Sequence, residues 1–292
     1  MPPASIASDI AVLDSRAQLH HTPCGAWQLV WRVWPAPTVR VGEGGREPPP
    51  VVLLHGGSGS WTHWLRNIDA LVAEGRRVLV PDLPGFGDSA LPPAGGDADA
   101  IVAPLEAGLQ QLVGDAACDL VGFSFGGMAA GLWAAQHPAR AARLVLVGAP
   151  AMGVVPTRQF ELKAWRHLTD EAAREAVHRH NLAALMLHDA RLIDGLALQL
   201  HTANVVRDRM PRRRLSSTDI LARSLASVPC PVLAIYGAHD ALYKQWISQL
   251  GAAFEQATPH FRGLELIADA GHWVQFEQAA AFNRALRRAL TG

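Results

Sequence analysis

Charge is scarce and balanced in this chain: 18% of its 292 residues are charged, and 26 Lys+Arg face 26 Asp+Glu for a formal net charge of +0. Without a field of one sign, the molecule has no electrostatic reason to collect on nucleic acid or on an anionic membrane. Cysteine is rare as well. The 3 cysteines, Cys24, Cys118 and Cys230, are odd in number and widely spaced, with no C-x-x-C or other metal-ligand pattern. They read as small packed thiols of a reducing compartment. No stretch reaches the roughly 20 continuous apolar residues needed to span a bilayer, and the opening residues lack the basic start and apolar run of a secretory signal. The expectation is a cytoplasmic protein with a small-molecule substrate and neither nucleic acid nor membrane as partner; a homo-oligomer stays open. Hydrophobic residues make up 49% of the chain, which supplies a large core.

Residues 35–50, PAPTVRVGEGGREPPP, read as a loop. Beyond them, short runs rich in Val, Leu and Ile recur at Val51–Leu54, Val78–Val80, Leu120–Phe123, Leu144–Val147, Val232–Tyr236 and Leu264–Ile267. Each is separated from the next by enough chain for a helix. Such runs predict an α/β fold, a mostly parallel twisted sheet with helices on both faces. The alternation stops over residues 151–217, where helical apolar spacing appears in Phe160–Leu168, Asn181–Leu187 and Leu192–Leu200. We read residues 151–217 as a helical cap inserted between two strands, with residues 1–150 and 218–292 as the core. The last part of the insertion, Arg207–Ser217, is strongly basic and reads first as a solvated hinge.

The segment Leu120–Met128, LVGFSFGGM, runs an apolar strand into G-x-S-x-G and then into a helical stretch. A serine on such a turn holds its hydroxyl above the sheet, and glycines on either side let the backbones approach. Ser124 is therefore the candidate nucleophile. A serine hydroxyl needs a base, and a histidine oriented by a carboxylate should follow in the order Ser, Asp, His. Asp240, just past the run PVLAIY, and His272, just past LELIA, meet that order; Asp269 is the rival carboxylate. The third element is HGGSGS after Val51–Leu54. Acyl transfer builds negative charge on a carbonyl oxygen, and the backbone N–H groups of Gly57 and Phe125 are the candidate oxyanion donors. No Lys follows these glycines, so the loop is not a Walker-type phosphate cradle. His55 reads as a brace for the loop. Trp61, Trp64, Trp165 and Trp273 read first as packing residues. The cap histidines His167, His178, His180, His188 and His201 form no ligand cluster, and neither a metal nor a cofactor is implied.

Together with Val80–Ser89, VPDLPGFGDS, which looks like a D-x-P-G-x-G-x-S loop, these segments resemble the α/β-hydrolase superfamily from about Trp27 to Leu290. Within it, Gly59–Ile68 and Gly271–Leu286 look most like the meta-cleavage-product hydrolases, which split carbon–carbon bonds of vinylogous diketo acids, and like related serine esterases. The resemblance implies a hydrolase acting through Ser124, His272 and Asp240 on an ester or an activated carbon–carbon bond. It also suggests a substrate pocket near Phe123, His63, His201 and Trp273. The carbon–carbon enzymes commonly carry Asn where this chain has Phe123 and His63, and a cap Arg whose best local match is His201, with Arg207 and Arg209 further on. The same scaffold also supports cofactor-free perhydrolases, acyltransferases and non-catalytic ligand receptors.

Overall fold

The computed structural model describes residues 4–37, 47–157, 159–193, 195–210 and 212–292. Its eight strands are β1 (Gln18–Cys24), β2 (Trp27–Trp34), β3 (Val51–Leu54), β4 (Val78–Pro81), β5 (Cys118–Phe123), β6 (Ala141–Val147), β7 (Val232–Gly237) and β8 (Phe261–Ile267). They form one sheet in the order β1-β2-β4-β3-β5-β6-β7-β8. All neighbours from β4 to β8 are parallel, whereas β1–β2 and β2–β4 are antiparallel. The six runs singled out in the sequence are the six strands β3 to β8. In the leading hairpin, β1 escaped that pattern because QLHHTPC is a sheet-edge strand with few apolar residues to bury, and β2, WQLVWRVW, is buried from Leu29 onward but is interrupted by Gln28 and Arg32. Of the loop expected over 35–50, residues 35–37 and 47–50 are irregular, and the remainder lies outside the described residues.

The helices are α1 (Ala4–Ser15), α2 (Ile68–Ala73), α3 (Val102–Val113), α4 (Phe125–Gln136), α5 (Glu171–Asn181), α6 (Leu196–Val205), α7 (Ile220–Leu225), α8 (Leu250–Ala257), α9 (Val274–Glu277) and α10 (Ala279–Thr291). Successive strand side chains point to opposite faces, and two cores divide accordingly. Val52, Leu54, Leu120, Leu144 and Leu146 join Leu105 and Leu109 of α3, Met128 and Trp133 of α4, Leu221 of α7 and Phe254 of α8. Val51, Leu53, Val121, Val145 and Val147 join Ile68 of α2 and Phe282 and Leu286 of α10. Strands buried on both faces explain why their sequences are continuous apolar runs and do not alternate.

Between β6 and β7 the described residues contain no strand. Of the stretches with helical spacing, Asn181–Leu187 holds the end of α5 and the helical turn Leu182–Met186, and Leu192–Leu200 runs into α6 at Leu196. Phe160–Leu168 is not helical. Its backbone is instead held by Asn181, whose Oδ1 accepts from the Lys163 N–H (2.8 Å) and whose Nδ2 donates to the Lys163 carbonyl (3.0 Å). Helix α5 starts after it, where the Asp170 side chain accepts from the Ala173 N–H at 2.7 Å, an N-cap that polar sequence can supply without an apolar stripe. Leu182, Met186, Leu187, Ala197 and Leu200 of this segment lie in the same core as Phe123 and Trp273, which seats the segment over the carboxyl ends of the strands.

Candidate active site

The chain runs from β3 to β4 on one side of the sheet's middle and then crosses to β5, so β3 and β5 are neighbours whose following loops diverge. Open α/β sheets bind ligands in that crevice. Ser124 stands at the end of β5 as the N-cap of α4, with φ +53° and ψ −116°. A left-handed serine costs roughly 1–3 kcal/mol and persists only where the surroundings over-determine it. The surroundings are the flanking glycines. A Cβ on Gly122 would lie 2.5 Å from the Gly126 carbonyl oxygen, and one on Gly126 would lie 2.5 Å from the carbonyl oxygens of both Leu54 and His55. The Ser124 N–H is bound to the Val147 carbonyl at 2.8 Å. β3, β5 and α4 thus meet at backbone contact, and the turn fixes the direction of the Ser124 Cα–Cβ bond.

That hydroxyl lies 2.9 Å from His272 Nε2, and His272 Nδ1 lies 2.9 Å from Asp240 Oδ2 and 3.1 Å from Oδ1. Asp240 is fully buried. Its Oδ1 also accepts from the Leu242 N–H at 2.9 Å, so the carboxylate approaches the ring in one orientation. Gly148, at φ +52°, makes room: a Cβ there would come within 3.1 Å of the His272 ring and 3.2 Å of Asp240 Oδ2. The rival Asp269 is exposed, with its backbone carbonyl engaged by Gln278, and no hydrogen bond joins it to His272 among the described residues. A hydroxyl, an imidazole and a buried carboxylate in this line can shift a proton from serine to ring during attack.

Gly57 and Phe125 both line the cavity around Ser124. The orientation of the Gly57 N–H follows from His55. The Leu83 N–H donates to His55 Nε2 at 2.8 Å, so that nitrogen carries no proton and Nδ1 does; Nδ1–H then donates to the Gly56 carbonyl at 2.8 Å. Burial lowers the His55 pKa, which keeps this tautomer neutral. Because a trans peptide points its C=O and N–H in opposite directions, tying the Gly56 oxygen to His55 turns the Gly57 N–H away from it.

The cavity encloses about 480 Å³, and its walls combine Phe123, Ser124, Phe125 and His272 with residues from the segment between β6 and β7 such as Phe160, Leu162, Leu185 and Met186. Of the four residues expected to line it, only Phe123 does. His63, His201 and Trp273 are absent from its walls, because aromatic packing turns them inward. His63 sits 4.9 Å from the Trp273 ring and 5.4 Å from Phe123, and its Nδ1 accepts from the Gly56 N–H at 3.2 Å. Burial holds the His63 pKa well below the usual imidazole value, and burial beside His178 pushes His201 down to about 4. Neither ring offers a positive charge at neutral pH. Arg207 is spent on Asp88, and Arg209 on the carbonyls of Phe86, Gly87 and Ser89. Trp61, Trp64 and Trp165 are likewise outside the cavity walls.

Two residues that sequence reasoning passed over matter here. Arg213, inside the basic run, lines the cavity at Gly57; nothing in a row of arginines tells which one turns inward. Glu277 accepts from the backbone N–H groups of Gly271 (2.6 Å), His188 (3.1 Å) and Asp189 (2.6 Å). Its carboxylate pins the loop before His272 to the backbone at His188 and Asp189. A lone Glu five residues after the histidine gives no local signal for this.

The protein family described as the alpha/beta hydrolase family matches residues 51–285. The chain is 28% identical over 260 residues to the 2-hydroxy-6-oxo-6-phenylhexa-2,4-dienoate hydrolase of Burkholderia cepacia, covering 80% of this chain and 85% of that one. It is 30% identical over 249 residues to a 2-hydroxy-6-oxononadienedioate/2-hydroxy-6-oxononatrienedioate hydrolase of Cupriavidus pinatubonensis, covering 80% and 84%. Among solved structures, a meta-cleavage product hydrolase from Pseudomonas fluorescens IP01 superposes with a TM-score of 0.72 at 22% identity over 91% of this chain and 95% of that one. A carboxylesterase from Bacillus subtilis superposes with a TM-score of 0.74 at 19% identity over 99% and 96%. At these identities the two structures speak for the fold.

Proposed function

The chain belongs to the α/β-hydrolase family and is a hydrolase, and from that premise we propose that it cleaves a small carboxylic ester through Ser124, His272 and Asp240. Ser124 Oγ adds to the ester carbonyl as its proton passes to His272 Nε2. The carbonyl π electrons move onto the oxygen, which faces the N–H groups of Gly57 and Phe125. Collapse of that tetrahedral species expels the alkoxide, which takes the proton from His272 and leaves as the alcohol. A water then repeats the sequence on the acyl-serine, with His272 again as base, and releases the acid and Ser124. Asp240 holds the ring with its proton on Nδ1 and stabilises the imidazolium.

The observation that carries this reading is the Oγ–Nε2 distance of 2.9 Å at a serine held in a left-handed conformation. The cavity volume suits a small organic molecule, and its apolar cap walls suit an ester without charge. Three buried free thiols, with Cys118 pushed up to about 12 and Cys230 to about 11 by burial, suit a reducing compartment such as the cytoplasm. The names of the curated relatives favour a second reading, cleavage of a carbon–carbon bond in a dienoate acid. It is the weaker one, because Phe123 and His63 stand where the enzymes this chain resembles commonly carry Asn, and the best local match to their carboxylate-holding cap Arg is His201, whose ring is neutral and packs against His178. Parallel turnover of 4-nitrophenyl esters and of a coloured dienoate ring-cleavage product tests both. Ester turnover that vanishes with Ser124→Ala, together with fluorophosphonate labelling of Ser124, supports the proposal. Dienoate turnover at the higher kcat/KM replaces it with the second reading.

A further inference from the structure

The loop that carries Gly57 is tethered on two sides, and one of the tethers comes from the cap. On the core side, His55 holds the Gly56 carbonyl and His63 the Gly56 N–H. On the other side, Ser58 adopts φ +53°, a conformation that a residue with a Cβ keeps only under constraint. The constraint is Asp208, 150 residues further along: Ser58 Oγ donates to Asp208 Oδ2 at 2.5 Å. Asp208 Oδ1 accepts from the Met210 N–H at 2.8 Å, which fixes the carboxylate. Arg213 completes the group, with Nη1 2.9 Å from Asp208 Oδ2 and Nη2 donating to Ser58 Oγ at 3.2 Å. Its guanidinium lies 5.3 Å from the Phe86 ring centre and 5.8 Å from that of Phe125. A Cβ built on Gly57 would be only 3.4 Å from the guanidinium carbon. Among the described residues lining the cavity, Arg213 is the one with a permanent charge.

We propose that Asp208 and Arg213 of the cap, acting through Ser58, are positioning residues for the oxyanion donor Gly57. The inference rests on the serine-hydrolase reading. The aspartate holds residue 58 left-handed, and the flat cation packs against Gly57, so the peptide plane between Gly56 and Gly57 cannot swing. The positive guanidinium also stands beside the place where negative charge collects. The hydrolytic site is complete only when this stretch of the cap is seated, which couples cap placement to transition-state stabilisation and leaves ground-state binding of a small substrate largely untouched.

The test compares wild type with Asp208→Ala, Arg213→Met and Ser58→Ala, using 4-nitrophenyl acetate as substrate and phenylboronic acid as inhibitor. Ser124 Oγ adds to the boron as its proton goes to His272, giving a tetrahedral anion that uses the oxyanion donors. The expected result is a kcat lowered tenfold or more with KM within threefold, and a boronate Ki weakened by the same factor. Ser58→Ala removes only one oxygen atom, so it keeps the test decisive if the cap variants fold poorly. Unchanged kcat in folded variants, or a rise in KM with unchanged boronate affinity, overturns the clamp. Wild type that neither turns over the ester nor binds the boronate removes the serine-hydrolase reading itself, and the clamp with it.

Discussion

Asp240→Asn removes one charge from a fully buried side chain and changes almost nothing in shape. Its consequence follows from the shortest hydrogen bond each carboxylate oxygen accepts. Leu242 N–H takes Oδ1 at 2.9 Å and His272 Nδ1 takes Oδ2 at 2.9 Å. An asparagine has a single side-chain acceptor. If its oxygen stays with the Leu242 N–H, its NH2 group faces Nδ1, and the ring must move its proton to Nε2. That nitrogen is the one 2.9 Å from Ser124 Oγ, so it becomes a donor where a base is needed. Loss of the correct tautomer in a serine, histidine and aspartate line costs about four orders of magnitude in kcat, or about 5 kcal/mol at the barrier. Stopped-flow turnover of 4-nitrophenyl acetate, with far-UV circular dichroism as the fold control, measures it. A folded Asp240→Asn protein within tenfold of wild type refutes the tautomer argument and moves the carboxylate role elsewhere.

Gly126→Ala pushes a methyl group against two backbone oxygens at 2.5 Å and is expected to cost roughly 1–3 kcal/mol, seen as a lowered Tm together with reduced turnover. Gly251→Ala in α8 meets nothing within 4 Å, so gaining helix propensity should stabilise by about 1 kcal/mol; a lower urea midpoint contradicts this. His201 titrates near 4 in the fold against about 6.5 unfolded. The unfolded chain therefore binds more protons between those values, and stability falls as pH drops through that window. The loss approaches roughly 3 kcal/mol at its lower end. A urea midpoint that does not change from pH 7 to pH 5 is incompatible with a neutral His201 in the fold. Arg207→Gln and Arg209→Gln should leave the ratio of kcat/KM for acidic and neutral esters unchanged, because both side chains are engaged with Asp88 and with carbonyls away from the cavity; a tenfold change in the ratio argues otherwise.

Local chemistry was legible where a local constraint dictates it. Strands with both faces covered are continuous apolar runs, and β3 to β7 announced themselves in this way; β8, at the other sheet edge, is mostly half-buried or exposed but still carries the readable run Leu264–Ile267. The elbow at Ser124 needs glycines at fixed offsets, because neighbouring backbones come within 2.5 Å of where their Cβ atoms would stand. Those offsets can be read in one dimension, as can the order of Ser124, Asp240 and His272. The edge strand β1 could not be read, since a strand with an open side needs little apolar sequence. Nor could the fate of Phe160–Leu168, whose helical spacing lost to two hydrogen bonds from Asn181.

Which polar side chain faces the cavity was decided by tertiary structure alone. Arg207, Arg209 and Arg213 lie in one basic run, yet two are engaged with distant partners and the third lies against Gly57. His63 and His201 carry the right atoms for a polar pocket but pack inward against aromatic rings and lose their charge to burial. Periodicity and turn chemistry are properties of neighbours in the chain, so six strands of the sheet and the elbow at Ser124 were fixed by local sequence. The environment of a side chain is set by residues far away in the chain, as Asp208 is from Ser58, and only the folded packing of residues between β6 and β7 against the rest of the chain determined the cavity wall.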